Sequence, residues 1–288
     1  MPIVIDQPLR EAIAAALGDE VVSASRVHGG DVASSWRVDL GDGRRVFAKS
    51  HPTAPPLFFS TEAAGLRWLA APQAVAVPAV LAVRDEHPNL LILEWIDEGL
   101  RGSSDEARFG RQLAELHRAG APAFGREDRR TTGSRGLPNE PCATWAEFYG
   151  TQRLVPLARL ARGVLSPVAI AGLESLAGRL GEFAAADEPA ARLHGDLWAG
   201  NRVVDAAGVS WLIDPAAHGG HREFDLAMMR LFGGFGDAVF AAYDDVYPLG
   251  AGWPDRVALH QIAPLVVHAV KFGGGYVGAA SEAIRAYA

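Results

Sequence analysis

Cysteine occurs once in these 288 residues, at Cys142. A single thiol excludes an intrachain disulfide and any cysteine-based zinc site, and it fits a reducing compartment. Long apolar runs are missing too. No stretch of 18 or more apolar residues is present, so no membrane-spanning helix is expected. Residues 1–9 lack a basic segment leading into an apolar one, so no signal peptide is read and the expected location is cytoplasmic. Positive charge is in deficit: 27 lysines and arginines face 34 acids, and a net charge of −7 argues against a broad nucleic-acid face. Internal repeats and low-complexity tracts are absent as well. What is present, 49% hydrophobic and 21% charged residues, is enough for one large domain or two lobes with separate cores.

Asp6 is placed to cap a first helix running to Leu17, with Pro8 near its first turn and Gly18 stopping it. Strand-like runs follow at 21–28, 34–40 and 44–51, the last two joined by the hairpin signal Asp42-Gly43. Ser60 reads as the cap of a helix carrying Ala63, Leu66 and Ala70 on one face, and runs 79–84 and 90–95 read as two more strands. Asp97-Glu98-Gly99 then breaks the pattern. The remainder is mostly helical, beginning with the stripe Phe109, Leu113 and Leu116. Segment 119–141 is rich in Gly, Pro, Thr and Arg and reads as a long loop; its arginines at 126, 129, 130 and 135 suggest a solvated surface or a lid over an anion. Helices are expected over 145–162, 168–186, 223–232, 237–247, 256–272 and 279–287. This is an α+β chain. An antiparallel sheet lobe with a helix spans 1–96, and a larger, mainly helical lobe spans 97–288.

The strongest signal is Leu193-His194-Gly195-Asp196-Leu197-Trp198-Ala199-Gly200-Asn201, followed by Ile213-Asp214-Pro215. A kinase-type catalytic loop sets an Asp to orient the attacking hydroxyl and an Asn five residues on to hold Mg²⁺, with a later Asp for the second metal contact. Segments 202–205 and 209–213 read as a hairpin that folds Asp214 back beside Asn201. Asp196 is therefore the candidate hydroxyl-orienting base, and Asn201 and Asp214 are the candidate metal ligands, with oxygen donors suited to Mg²⁺. His194 reads as a structural residue of the loop.

Upstream, Lys49 ends a strand and Glu62 lies in the next helix, the arrangement by which a kinase holds a lysine on the ATP phosphates. Gly29 and Gly30, in the turn between the first two strands, have the position of a phosphate-covering loop. Glu94 and Ile96, at the last strand's end, have the position for backbone pairing with an adenine edge, though a plain strand end would look the same. His218 and His221 flank Gly219-Gly220, which argues for a loop rather than a converging metal site. His218 and Glu223 are read instead as structural or substrate-lining. Gly273-Gly274-Gly275 follows a helix and reads as its terminator.

These residues resemble the fructosamine kinases, or ketosamine 3-kinases, relatives of the aminoglycoside phosphotransferases and choline kinases within the protein-kinase-like fold. The block 193–201 carries the likeness, with Trp198 its distinguishing residue. Support comes from 213–216, 220–228 and 231–235, and upstream from Phe47-Ala48-Lys49, Glu62-Ala63, Gly110 to His117 and Trp145 to Tyr149. The resemblance implies a bilobal fold and ATP- and Mg²⁺-dependent phosphorylation of the sugar 3-hydroxyl of a small ketosamine or glycated lysine. In that setting Trp198, His218 and Glu223 would lie toward the substrate. The phosphorylated product of such kinases releases the free amine, which makes the reaction a repair of glycated amines. Segment 128–139, with Arg129-Arg130-Thr131-Thr132, departs from the family's usual run and leaves the sugar and amine carrier open. A kinase for an aminoglycoside or another small metabolite is the alternative; a pseudokinase would require loss of Asp196, Asn201, Asp214 or Lys49, and all four are present. The oligomeric state is not encoded in any of these signals.

Overall fold

The Asp6 carboxylate accepts a hydrogen bond from the Leu9 amide at 2.8 Å and opens helix α1 (Gln7–Leu17), which Gly18 closes in the left-handed conformation. The computed structural model describes residues 5–27, 33–100, 102–129, 131–132, 136–183 and 186–288. Five strands follow α1: β1 (Val21–Val27), β2 (Ser34–Leu40), β3 (Arg45–Ser50), β4 (Val80–Arg84) and β5 (Leu90–Glu94). They form one antiparallel sheet in the order β1-β2-β3-β5-β4. Its register sets Lys49 opposite Ser35 and Leu91.

Strand β5, between β3 and β4, is buried on both faces, which explains its unbroken run Leu90-Leu91-Ile92-Leu93. Leu90 and Ile92 pack with Leu9 and Ile13 of α1, while Leu91 and Leu93 pack with Phe59, Ala63 and Leu66 of helix α2 (Phe58–Ala70). Each such leucine, isoleucine or phenylalanine contributes about 1.5–3 kcal/mol of burial. The cap of α2 differs from expectation. Ser60 lies inside the helix, and the amides of Phe59 and Ser60 donate to the Asp85 carboxylate at 3.0 and 3.2 Å, a cap supplied from the β4–β5 connection that no local pattern reveals. On the far side of α2, Gly65 rests on the segment after Asp214: a Cβ there would lie 3.2 Å from Pro215 Cγ and 3.4 Å from Ala217 Cβ.

Helix α3 (Ser103–Arg118) buries Phe109, Leu113 and Leu116 as its periodicity requires, against a core that includes Leu197, Leu212, Leu226 and Tyr243. Segment 119–141 is more ordered than a loop reading implies. It carries the short pair β6 (Thr131–Thr132) and β7 (Leu137–Pro138), and Gly125 exchanges backbone hydrogen bonds with Gly219. Arg126 is buried and chelates Asp128, and Arg129 donates to the Ser60 carbonyl, so neither has the freedom of a lid; 130 and 135 lie outside the described residues. The expected helix over 145–162 is broken in register: α4 (Trp145–Phe148) and α5 (Val155–Leu160) flank a π-helical turn, Tyr149–Leu154, that buries Tyr149 and Arg153. Helix α6 (Pro167–Ala177) ends sooner than expected, followed by a 3₁₀ turn at Leu180–Glu182.

The short strands β8 (Ala191–Leu193) and β11 (His218–Gly220) pair with each other, as do β9 (Arg202–Val204) and β10 (Ser210–Leu212), the anticipated hairpin. A loop was expected at 218–221; β11 stands there instead, held between β8 and Gly125 despite its glycines. Helices α7 (Glu223–Phe232), α8 (Asp237–Val246), α9 (Trp253–Phe272) and α10 (Gly275–Arg285) complete the chain, and Gly273, at φ 66°, separates the last two as read. Among the described residues, no helix is long and apolar enough to cross a membrane.

Candidate active site

Strand β8 delivers the chain to His194, where the backbone turns sharply. Gly195 has φ 81°, and a Cβ at that position would collide with the Ala216 carbonyl, so glycine is required on both counts. The turn is held from below by Asp225 of α7. Its carboxylate is fully buried and accepts from the His194 amide at 2.7 Å and the Gly195 amide at 2.9 Å, with His117 Nε2 at 3.3 Å. The other ring nitrogen of His117 meets the Tyr243 hydroxyl at 2.8 Å. Burial alone would raise the Asp225 pKa; the His117 contact, His194 and the amide bonds more than reverse this and keep it below the usual carboxylate range. His194 completes the brace, with Nε2 2.8 Å from the Ile213 carbonyl and Nδ1 accepting from the Asp196 amide at 3.2 Å. The expected structural role of His194 is therefore what the contacts describe.

Asp196 follows this turn. The Asn201 amide nitrogen donates to its carbonyl at 2.8 Å and to its carboxylate at 3.2 Å, leaving Asn201 Oδ1 as an oxygen donor. Burial raises the Asp196 pKa above the ordinary carboxylate range, with His194, His268 and the Asn201 bond acting the other way and Asp214 adding to the rise. The Ile213 amide donates to the Asn201 carbonyl at 3.1 Å, which brings the next residue, Asp214, back toward Asn201. Asp214 sits at φ 54°, a left-handed conformation that Asp tolerates better than most residues. Its carboxylate pairs with the Lys49 ammonium, which also donates to Glu62 at 2.8 Å. Burial would depress the Lys49 pKa, but the facing carboxylates of Glu62 and Asp214 push it above its usual value and keep it charged. Asp196, Asn201, Asp214, Lys49 and Glu62 thus form one connected array drawn from four separate segments.

The other candidates fall in different places. Trp198 is 43% exposed and lines a cavity of about 390 Å³ beside Asp196, its ring 6.4 Å from that of Phe232. His218 lines the same cavity; burial and the nearby Arg153 push its pKa down to about 3, so it is neutral, with Nδ1 at 2.8 Å from the Ala216 carbonyl. Glu223 does not reach the cavity wall. It is fully buried beneath the site, clamped by Arg256 and with His260 Nε2 at 3.4 Å, because it points into the α7–α9 contact. Glu94 closes β5, its amide donating to the Ala79 carbonyl at 2.9 Å and its carboxylate accepting from the Ala79 amide; Ile96 follows the strand. Gly29 and Gly30 lie outside the described residues. Sequence reasoning assigned no role to Asp225 or Arg153. The available signal was an acid enclosed by apolar neighbours in Phe224-Asp225-Leu226-Ala227, since a buried carboxylate demands partners.

Known proteins resemble this chain along nearly its whole length. The family model described as fructosamine kinase matches residues 5–288. The chloroplastic protein-ribulosamine 3-kinase of Arabidopsis thaliana is 33% identical over 298 residues, covering 100% of this chain and 89% of that protein. A crystal structure assigned as a fructosamine-3-kinase from Thermobifida fusca superposes with a TM-score of 0.89 at 38% identity, over 97% of this chain and 98% of that one. Choline kinase from Streptococcus pneumoniae, at 15% identity, a TM-score of 0.62 and 97% of each chain, shares the fold, which is protein-kinase-like. With its array of acids around Lys49 and its match along nearly the whole sequence, the chain belongs to the fructosamine kinase family.

Proposed function

We propose that this chain is a ketosamine 3-kinase that transfers the γ-phosphoryl group of ATP to the 3-hydroxyl of a fructosamine or ribulosamine borne on an amine or lysine. The observation carrying this reading is the connected array Asp196–Asn201–Asp214–Lys49–Glu62 beside a cavity of small-molecule size. In this reading Asp196 orients the acceptor hydroxyl and takes its proton, a task favoured by a carboxylate more basic than usual. Asn201 Oδ1 and the Asp214 carboxylate are hard oxygen donors that fit Mg²⁺. That ion would neutralise charge on the transferring phosphoryl group. Lys49, steadied by Glu62, would hold the α- and β-phosphates. Gly29 and Gly30 would cover them, and the backbone at Glu94 and Ile96 would meet the adenine edge. Trp198 and His218 would face the sugar, and the sheet lobe 1–96 would close on the helical lobe 97–288 across the nucleotide. Loss of amine from the 3-phosphate would make the reaction a repair step, in keeping with a cytoplasmic setting.

Incubation with ATP, Mg²⁺ and a panel of fructosyl- and ribulosyl-amines, alongside amino sugars, tests the reading. Phosphorylation confined to the ketosamines is expected, and phosphorylation of amino sugars alone refutes it. Asp196→Ala should abolish turnover of the ketosamines while calorimetry still records binding of Mg²⁺-ATP.

A further inference from the structure

Resting on the ketosamine reading, we propose that Arg153 makes the acceptor cavity selective for ketosamines whose amine carrier bears a carboxylate, that is, for glycated free amino acids. The π-helical turn carries Arg153 inward, leaving it 3% exposed, on the wall of the cavity that also holds Asp196. Among the described residues its guanidinium is held only by neutral groups. Nη1 donates to the carbonyls of Pro138 and Gln152, Nη2 donates to Asn139 Oδ1 at 3.1 Å, and the guanidinium carbon lies 4.5 Å from the Phe148 ring centre. Those three bonds leave the Nε–H and one Nη2–H of its five donors for another partner.

The absence of a carboxylate here contrasts with three other buried arginines of the chain. Buried Arg126, Arg222 and Arg256 hold Asp128, Glu188 and Glu223 respectively. Arg153 forms no ion pair among the described residues, and no carboxylate offsets the burial that pushes its pKa down to about 9. A buried cation without a counter-charge is costly, and a residue kept in that state on a cavity wall is poised for an anion from solution. The planar guanidinium favours a carboxylate, which it can meet with paired hydrogen bonds. Lys271 lines the same wall, and among the described residues Asp196 is the sole acid lining it. At about 390 Å³ the cavity is near the lower end of ligand sites, of roughly 300–1,000 Å³, which suits a sugar on a single amino acid.

The test compares kcat/KM for fructosyl- and ribulosyl-glycine with the corresponding glycinamides, which differ only in the carboxylate. The unaltered enzyme should prefer the carboxylates by roughly 10- to 100-fold, the range of one charge-assisted contact, expressed in KM. In Arg153→Gln that ratio should fall to within about threefold, whatever the absolute loss of rate, and Arg153→Lys should restore part of it. A merely structural arginine would lower both members of each pair alike and leave the ratio intact. Equal kcat/KM for carboxylate and amide in the unaltered enzyme, or a ratio that survives Arg153→Gln, overturns the assignment. No turnover of either pair by an enzyme that phosphorylates other ketosamines of the panel overturns this proposal alone, whereas no turnover anywhere on the ketosamine panel overturns the ketosamine reading and this proposal with it.

Discussion

Replacing Asp225 by Asn tests whether the catalytic turn is held in place by a charge that never meets substrate. The buried carboxylate accepts two backbone amides, from His194 and Gly195, on different oxygens, with His117 beside it. Asn keeps one accepting oxygen and turns an NH₂ toward a backbone N–H, so one amide loses its acceptor and faces a donor. A hydrogen bond to a charged group is worth about 1.5–3 kcal/mol, and the orphaned amide adds to the loss, so a destabilisation of about 3 kcal/mol is expected. With a urea m-value near the upper end of about 1–3 kcal/mol/M, the midpoint should fall by about 1 M. Asp196 lies one residue beyond Gly195, and displacement of a reacting group by about 1 Å costs on the order of 100-fold, so kcat should drop by about that factor with folded protein. Urea denaturation followed by tryptophan fluorescence, and steady-state kinetics well below the transition, give the two numbers. A variant with an unshifted midpoint and kcat within threefold of the parent would refute the bracing argument.

Three further outcomes are expected. Asp214→Ala removes an oxygen donor and one of the two carboxylates facing Lys49, so Mg²⁺-dependent nucleotide affinity should fall at least tenfold by calorimetry, and unchanged affinity would remove Asp214 from the metal site. Because burial raises the Asp196 pKa and the ionised form is the proton acceptor, the acid limb of kcat/KM should lie above the ordinary carboxylate value of 3.8; a limb at or below that value contradicts the assignment. Burial pushes the Glu223 pKa up, but His260 and Arg256 more than reverse this and bring it from 4.5 to about 2. Its contribution of about 3 kcal/mol is therefore present above pH 4.5 and lost as pH falls toward about 2, so Glu223→Gln should flatten the acid side of the stability curve, and parallel curves would contradict this.

The features read correctly from sequence are those specified by neighbours along the chain. Asp6 and Gly18 bound α1 because capping is local, and the hairpin that returns Asp214 to Asn201 needs only a turn and two short strands. The misreadings share the opposite property. Ser60 satisfies every local criterion for a cap, yet Asp85, 25 residues away, supplies it. The strand His218–Gly220 has poor strand propensity and exists because β8 and Gly125 bond to it from either side. Glu223 looked substrate-facing beside His221, but its side chain turns to Arg256 of α9, a pairing across 33 residues. Asp225 stood within a recognised run without revealing that its task was to hold a turn 30 residues earlier.

The bare contact of Gly65 with Pro215 has a mechanical meaning. With no side chain between them, the helix bearing Glu62 packs closely on the residue that follows Asp214, so the two acids that flank Lys49 are joined by backbone packing as well as by charge. A methyl group at position 65 would sit 3.2 Å from Pro215 Cγ, so the segment behind Asp214 would have to give by a few tenths of an ångström to admit it.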